Sequence, residues 1–506
     1  MSDRQEYSRR KKAGLNILIT LLCQLVSLIC GFIIPKLILD KFGSEAYGAT
    51  ASISQFLAYI SLLEGGIGGV ARAALYKPIS QNNKEQVGTV LTEIKRFFRI
   101  IGYIFVVYVI ILACSYKFIS DFVYYDWIST FFLVIAISIS TFAQYFIGIS
   151  YNIFLNAAQK TYIVYGISCF TILLNAFVSV LLIFLGADLI TVKFLSSIVF
   201  TLRPVLMWIY VKRNYDIVNR KRLTESVLKQ KWTGLGQHIA YFLHSNTDIV
   251  VLTLFSNLKM VAIYSVYNMV ISNIQSINIS FTSGMEAIFG DMIAKGEKDN
   301  LRKIFTYYET LISIISLILY SVTAVLIVPF ISIYTKNIND VNYIRYTFSF
   351  VLLSASLIYC LRIPYHNLTI AAGHFKQTRV AAYGEALINI IMSLLLVAKY
   401  QLIGVACATL IATIFRFIYY VWYLSKNIIY LSVIGFIKRQ ITNIGIITLI
   451  VLLGTSIISF EKASISWVTW IVAAVLVFCL ASIITISVNA LFYKGIFIDF
   501  INKTFK

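Results

Sequence analysis

The sequence predicts an all-α polytopic membrane protein of about 14 transmembrane helices, built as two parallel six-helix repeats plus a C-terminal helix pair. Three observations predict it. Apolar runs of about twenty residues, long enough to cross the roughly 30 Å hydrocarbon core of a bilayer, recur from end to end. The chain is 59% hydrophobic and only 13% charged, with a mean hydropathy of +0.82. The second half matches the first at a shift of about 214 positions, a long-period self-similarity that marks an internal duplication.

Windows of about nineteen residues mark the spans in order. The first set is Gly14–Leu39, Ala46–Ala71, Phe97–Phe118, Trp127–Asn152, Tyr162–Leu185, Leu189–Val211 and Gly234–Phe255. The second is Val261–Phe289, Ile304–Ile333, Tyr346–Ala371, Ala381–Val397, Ile403–Leu424, Ile441–Ser459 and Trp467–Leu491. The expected organisation is a cytoplasmic tail (1–13), an N-lobe (14–211), a cytoplasmic linker (212–233), a C-lobe (234–424), an extra helix pair (425–491) and a second cytoplasmic tail (492–506). The first run follows Ser8-Arg9-Arg10-Lys11-Lys12, as in a signal peptide. It is too long for an h-region and lacks a convincing small-residue cleavage site, so a retained first helix is expected.

Orientation follows from the basic residues. With the N-terminus inside, most of the 43 Lys and Arg fall in cytoplasmic loops, the richest being Arg72 to Arg99 and Lys212 to Lys231. Opposite loops such as Gly186-Ala187-Asp188 are short and nearly uncharged. Trp127, Trp208, Trp232, Trp422, Trp467 and Trp470 all fall at span ends, where an amphipathic indole meets the headgroups. Both termini are therefore expected in the cytoplasm. The same distribution explains the net charge of +21 without nucleic acid as a partner. All seven cysteines lie inside apolar runs with no C-x-x-C pair, as small core residues do.

The duplication is sustained along both halves. Leu174-Asn175-Ala176-Phe177-Val178-Ser179 falls on Ile388-Asn389-Ile390-Ile391-Met392-Ser393. Tyr145 falls on Tyr359, Tyr151 on Tyr365, Trp208 on Trp422 and Lys212 on Lys426. An even number of spans per repeat makes both halves enter from the same side, the parallel arrangement that suits alternating access between two lobes.

The duplicated plan is joined by two segments. One is Leu62-Leu63-Glu64-Gly65-Gly66-Ile67-Gly68 with Arg72 shortly after; the other is Asp248-Ile249-Val250-Val251-Leu252 followed by Val261-Ala262-Ile263-Tyr264-Ser265. Together they resemble the bacterial polysaccharide-repeat-unit flippases of the multidrug/oligosaccharidyl-lipid/polysaccharide exporter superfamily. The family usually carries Asp where Glu64 stands. The resemblance covers essentially the whole chain and implies a multi-pass protein of the bacterial cytoplasmic (inner) membrane. It implies transfer of a polyprenyl-diphosphate-linked oligosaccharide from the inner to the outer leaflet, for capsule, O-antigen or exopolysaccharide synthesis. Polysaccharide polymerase and glycosyltransferases of the same pathway are the partners it implies.

A crossing hydrophilic group requires helices with a polar face toward a water-filled cleft. Asn16, Thr20 and Gln24 follow helical spacing in the first span, and Ser54, Ser61, Gly65, Gly68 and Arg72 in the second. Gln237, Tyr241, His244 and Asp248 do so in the seventh, and Asn268, Gln275 and Glu286 in the eighth. These are the first two spans of each repeat, as a cleft between pseudo-symmetric lobes predicts. Small and polar residues also mediate helix packing, which is the competing explanation of any one stripe.

Charges inside spans each cost about 3 kcal/mol on the insertion scale. They are Glu64, Asp248, Glu286, Glu385, Arg203, Arg362 and Arg416. Counting helical rise from the cytoplasmic loops puts Arg203, Arg362 and Arg416 roughly 13–18 Å inside, with Arg72 nearer the surface. Arg binds a diphosphate through bidentate hydrogen bonds. Arg72 and Arg362 foremost, with His366, Arg203 and Arg416, are therefore the expected substrate-binding set; snorkelling toward cytoplasmic phosphates is the alternative for each arginine. His238 and His244 are six apart, the wrong spacing for a same-face zinc pair, so no metal is expected. No nucleophile or paired-carboxylate constellation appears, so no catalytic residues and no cofactor are expected. An ion-coupled multidrug or small-molecule antiporter of the same superfamily is the alternative function. A polytopic polysaccharide polymerase or glycosyltransferase is disfavoured by the short external connections.

Overall fold

The computed structural model describes residues 2–65, 67–217, 235–282, 284–430, 432–457 and 466–492, with side chains described from 14 onward and not at 235–237, 241, 244 and 245. Helices and turns account for the described residues, with no strand among them. The chain divides into unit 1, Met1–Phe242 with Asn257–Ala262, and unit 2, Leu243–Ser256 with Ile263–Lys506.

Unit 1 opens with α1 (Ser2–Ala58), which turns a corner at Gly43, where φ is +82°. A 3-10 turn follows at Tyr59–Glu64, and then α2 (Ile67–Ser80). Gly65 between them adopts φ +58°, a left-handed conformation that glycine enters without Cβ strain. The expected second span, Ala46–Ala71, is thus broken near its end, and Arg72 lies on the separate helix beyond the break. Helix α3 (Lys84–Ser120) starts at Asn83, whose side chain accepts from Gln86 N at 2.9 Å. Its buried face is Phe98, Ile101, Phe105, Val109 and Leu112, while Ile100, Ile104, Val107 and Ile111 are exposed. An apolar exposed face opposite an apolar buried face is what a helix needs when its outer solvent is lipid.

Helix α4 (Trp127–Ala143) is capped by Asp126, which accepts from Ser129 N at 3.1 Å. The Ser129 hydrogen bonds hold the Asp126 carboxyl below its ordinary range. A π-helical turn, Gln144–Gly148, joins it to α5 (Ile149–Ala157). Helices α6 (Thr161–Phe184) and α7 (Leu189–Asn214) complete the first repeat. Along α6 the buried stripe is Val164, Thr171, Asn175, Ser179 and Ile183, while Phe170, Leu173, Phe177 and Leu181 are exposed. The small polar side chains let neighbouring helices approach closely.

Helix α8 (Leu235–Phe255) crosses from unit 1 into unit 2 and precedes α9 (Leu258–Ser280). Gly284, at φ +87°, separates α9 from α10 (Met285–Ala294), breaking the expected eighth span as Gly65 breaks the second. Helix α11 (Lys298–Tyr334) has 37 residues, as does α3. Their first residues, Lys84 and Lys298, stand at the shift found in the sequence. Helix α12 (Tyr346–Ala371) is followed by α13 (Phe375–Asn427), two expected spans fused across Gln401, where φ is +46°.

The last pair, α14 (Val433–Ile457) and α15 (Trp467–Phe492), packs on α11. Ala473, Val477, Ala481, Thr485 and Asn489 form a buried stripe spaced at i+4 along α15. Trp470 donates from Nε1 to the Leu326 carbonyl at 3.1 Å.

Among the described residues ten helices are long and apolar enough to cross a membrane, against the fourteen spans expected. Four expected spans fuse in pairs, as Gly14–Glu64 and Phe375–Asn427. The eighth, α9, is interrupted by its polar stripe, and of the seventh the described side chains give the shorter apolar stretch Asn246–Phe255.

Candidate substrate cavity

Unit 1 holds a cavity of 840 Å³. Its wall draws Glu64 from the 3-10 turn, Arg72 from α2, Gln144 and Tyr145 from the π-helical turn, Asn152 and Asn156 from α5, and Arg203 from α7. A π turn carries an extra residue and re-aims its side chains, which is how one short segment presents both Gln144 and Tyr145. Tyr145 donates its hydroxyl to Glu64 Oε1 at 2.5 Å. His238 Nε2 lies 3.1 Å from the Ser61 carbonyl and steadies the turn that carries Glu64. Arg203 is half-buried and points Nε and Nη2 at Thr171 Oγ1, 3.4 and 3.5 Å away. These are long contacts to a neutral oxygen, so they leave the guanidinium without a neutralising partner there and use little of its donor capacity. Arg72 is exposed. Among the described residues neither arginine has a carboxylate partner. Two planar cationic forks, amides and hydroxyls can grip an anion and hydrogen-bond sugar hydroxyls.

Unit 2 holds a cavity of 550 Å³ lined by Thr282, Glu286, Tyr359, Ile363, His366 and Asn367 among others. Its position in the repeat is the same: Tyr359 and Ile363 stand where the first repeat has Tyr145 and Ile149. Arg362 and Arg416 are absent from its lining. They are buried, with side chains 5% and 8% exposed, and share the wholly buried Glu385. Arg362 Nη1 donates to Glu385 Oε1 at 2.5 Å, and Arg416 Nη1 donates to the other oxygen. Arg416 Nη2 also reaches the Tyr420 hydroxyl at 3.1 Å, and that hydroxyl lies 3.0 Å from His366 Nδ1. Arg362, expected with Arg72 to lead substrate binding, is thus engaged inside the protein while Arg72 faces a cavity. A sequence lists charges but not which carboxylate, 23 or 31 positions away, will claim them.

Asp248 is buried and, among the described residues, has no basic partner. It accepts from the Tyr264 hydroxyl at 2.7 Å and from Thr409 Oγ1 at 3.0 Å; Asn389 Nδ2 in turn donates to Thr409 at 2.9 Å. Asn389 Oδ1 and Ser393 Oγ beside this network have no hydrogen-bond partner among the described residues. A lone carboxylate among neutral oxygens has the chemistry to exchange a proton or a small hard cation. Among the described residues no group of three His, Cys, Asp or Glu side chains could hold a metal ion.

The remaining expected lining residues are dispersed. Asn16 ties α1 to the start of α6, accepting from Tyr162 N at 2.8 Å. Thr20 and Gln24 do not line the unit 1 cavity, and Asn268 and Gln275 do not line the unit 2 cavity. Gln237, Tyr241 and His244 lie outside the described side chains. Sequence reasoning missed Thr171, Tyr145, Asn389 and Thr409, whose types are common in packed helices. It also missed Glu309, which binds Arg439 and accepts from the Tyr365 hydroxyl at 2.6 Å. A charge inside the first third of the apolar run Ile304–Ile333 was the available signal.

No family model matches the sequence, and no curated protein matches it in sequence. Solved structures do match in fold. The lipid II flippase MurJ, in an inward closed conformation, superposes with TM-score 0.68 at 16% identity, covering 95% of this chain and 100% of that one. An inward-facing multidrug resistance MATE family transporter of the MOP superfamily gives 0.58 at 15% identity, over 81% of this chain and 98% of that one. The MATE multidrug transporter DinF-BH gives 0.55 at 16%, over 83% and 97%. The chain therefore has the all-helical membrane fold shared by MurJ and the MATE transporters.

Proposed function

We propose that this protein flips a polyprenyl-diphosphate-linked oligosaccharide from the inner to the outer leaflet of a bacterial cytoplasmic membrane, by alternating access between two six-helix lobes (14–211 and 234–424). The observation that carries the reading is the unit 1 cavity, where Arg72 and Arg203 face solvent space without carboxylate partners among the described residues, beside Gln144, Asn152 and Asn156. A diphosphate matches the guanidinium forks, and amides match sugar hydroxyls. The prenyl tail can stay in lipid, so the cavity need shelter only the polar head. The fold shared with a lipid II flippase supports the same reading. The termini and the 212–233 linker are cytoplasmic in this scheme, as the basic residues require.

Lipid extracts of a deletion strain test it. The completed diphosphate-linked unit should accumulate while surface polymer disappears; absence of the completed unit would point to a synthetic enzyme. The Asp248 network favours ion coupling and keeps a second reading, an ion-coupled multidrug antiporter. That reading predicts normal surface polymer with altered drug tolerance.

A further inference from the structure

The duplicated cavities differ in charge at more than one position: Arg72 lines the first where Glu286 lines the second, and a further difference is buried behind the wall. On α6 and the first part of α13, the buried stripe Thr171, Asn175, Ser179 repeats as Glu385, Asn389, Ser393. On α7 and the second part of α13, buried Leu189, Val192, Pro204, Met207 and Val211 repeat as Leu402, Val405, Phe417, Tyr420 and Leu424. Along these helices the shift is 213, one shorter than the 214 along α6, because residues 185–188 of the first connection face only 399–401 of the second, and it sets Arg203 on Arg416. Each arginine reaches the residue at the equivalent stripe position, Arg203 to Thr171 and Arg416 to Glu385. The contact is conserved within the molecule, but its chemistry is not: one partner is a neutral hydroxyl, the other a carboxylate. Where the second repeat has Arg362, the first has Gly148.

The consequence is visible in the walls. Arg203 lines its cavity, whereas Arg416 and Arg362 are drawn onto Glu385 and do not line the unit 2 cavity. That cavity presents Glu286 and His366 instead.

We infer that Thr171 is a specificity-determining residue: by offering Arg203 a hydroxyl in place of the carboxylate found at Glu385, it reserves the deep arginine of the first repeat for the diphosphate and confines anion capture to that repeat. The inference rests on the flippase reading and deepens it. Thr171 is a positioning residue, since it acts through Arg203 and is itself 0% exposed.

The test is equilibrium binding of geranylgeranyl diphosphate to the purified full-length protein in nanodiscs, with geranylgeraniol and inorganic pyrophosphate as comparison probes. Thr171→Asp has nearly the volume of the parent residue and supplies the missing carboxylate. It should weaken diphosphate binding by about tenfold or more, the scale of a lost charge-assisted contact. Thr171→Asn, of the same shape but neutral, should stay within about threefold of the parent, a difference too small for a lost ionic contact. Arg203→Met should lose as much as Thr171→Asp, and the double variant should lose no more than either. Geranylgeraniol binding should be alike in all of them. Asp and Asn variants that bind diphosphate equally would overturn the inference, as would an Arg203→Met protein that binds like the parent. The Arg203→Met comparison decides the matter even if Thr171→Asp does not fold. A parent protein that binds neither the prenyl diphosphate nor pyrophosphate would overturn the flippase reading and this inference with it.

Discussion

Glu385→Gln should be among the most destabilising single changes in this protein. Glu385 is wholly buried, and its two oxygens serve two different arginines whose side chains are 5% and 8% exposed. Glutamine preserves the volume and one acceptor, but puts an NH2 donor against one guanidinium, which has only donors. Breaking a buried ion pair by removing one partner costs about 3–5 kcal/mol because the other charge is left uncompensated. Two stranded arginines place this case at the upper end, and Arg416 Nε already lacks a hydrogen-bond partner among the described residues. A loss of about 5 kcal/mol consumes much of the roughly 5–15 kcal/mol that holds a typical domain folded. Denaturant titration in detergent micelles, with membrane abundance alongside, measures it. Arg203→Met is the internal comparison: its hydroxyl contact is long and its head faces a cavity, so it should cost less than about 1 kcal/mol, as weak exposed polar contacts do. If Glu385→Gln also cost less than about 1 kcal/mol, the claim that Glu385 balances the buried arginines would be wrong.

Three further outcomes are expected. Arg72→Ala should lower surface polymer at unchanged membrane abundance, because Arg72 is exposed in the cavity; Arg362→Ala should lower abundance itself, and quantitative blotting beside polymer assay separates the two. Gly48→Ala should destabilise by roughly 3 kcal/mol or more, since the new Cβ would sit 1.9 Å from the Leu258 carbonyl oxygen and force two backbones apart; thermal unfolding in detergent reads this. Asp248→Asn keeps an acceptor for Tyr264 and Thr409 and should change stability by less than about 1.5 kcal/mol. The same variant should abolish any dependence of transport in proteoliposomes on an imposed proton or sodium gradient, and an unchanged dependence would remove Asp248 from coupling.

The sequence alone determined the solvent, the helical class and the duplication. Each depends on quantities summed over many residues: apolar run length against bilayer thickness, and a register kept from Lys84 and Lys298 to Ser179 and Ser393. It also exposed the in-span charges, because Glu385, Arg203, Arg362 and Arg416 stand out against apolar neighbours. Tertiary structure decided what those charges do. Ion pairing depends on separations of a few ångströms between side chains on different helices, and hydropathy carries no information about which carboxylate an arginine will meet. Arg362 and Arg203 look alike in sequence, each one or two positions from a proline, yet one is engaged by Glu385 and the other opens onto a cavity. The breaks at Gly65 and Gly284 were hidden for a related reason. A single left-handed residue redirects a helix without changing the mean hydropathy of the window around it.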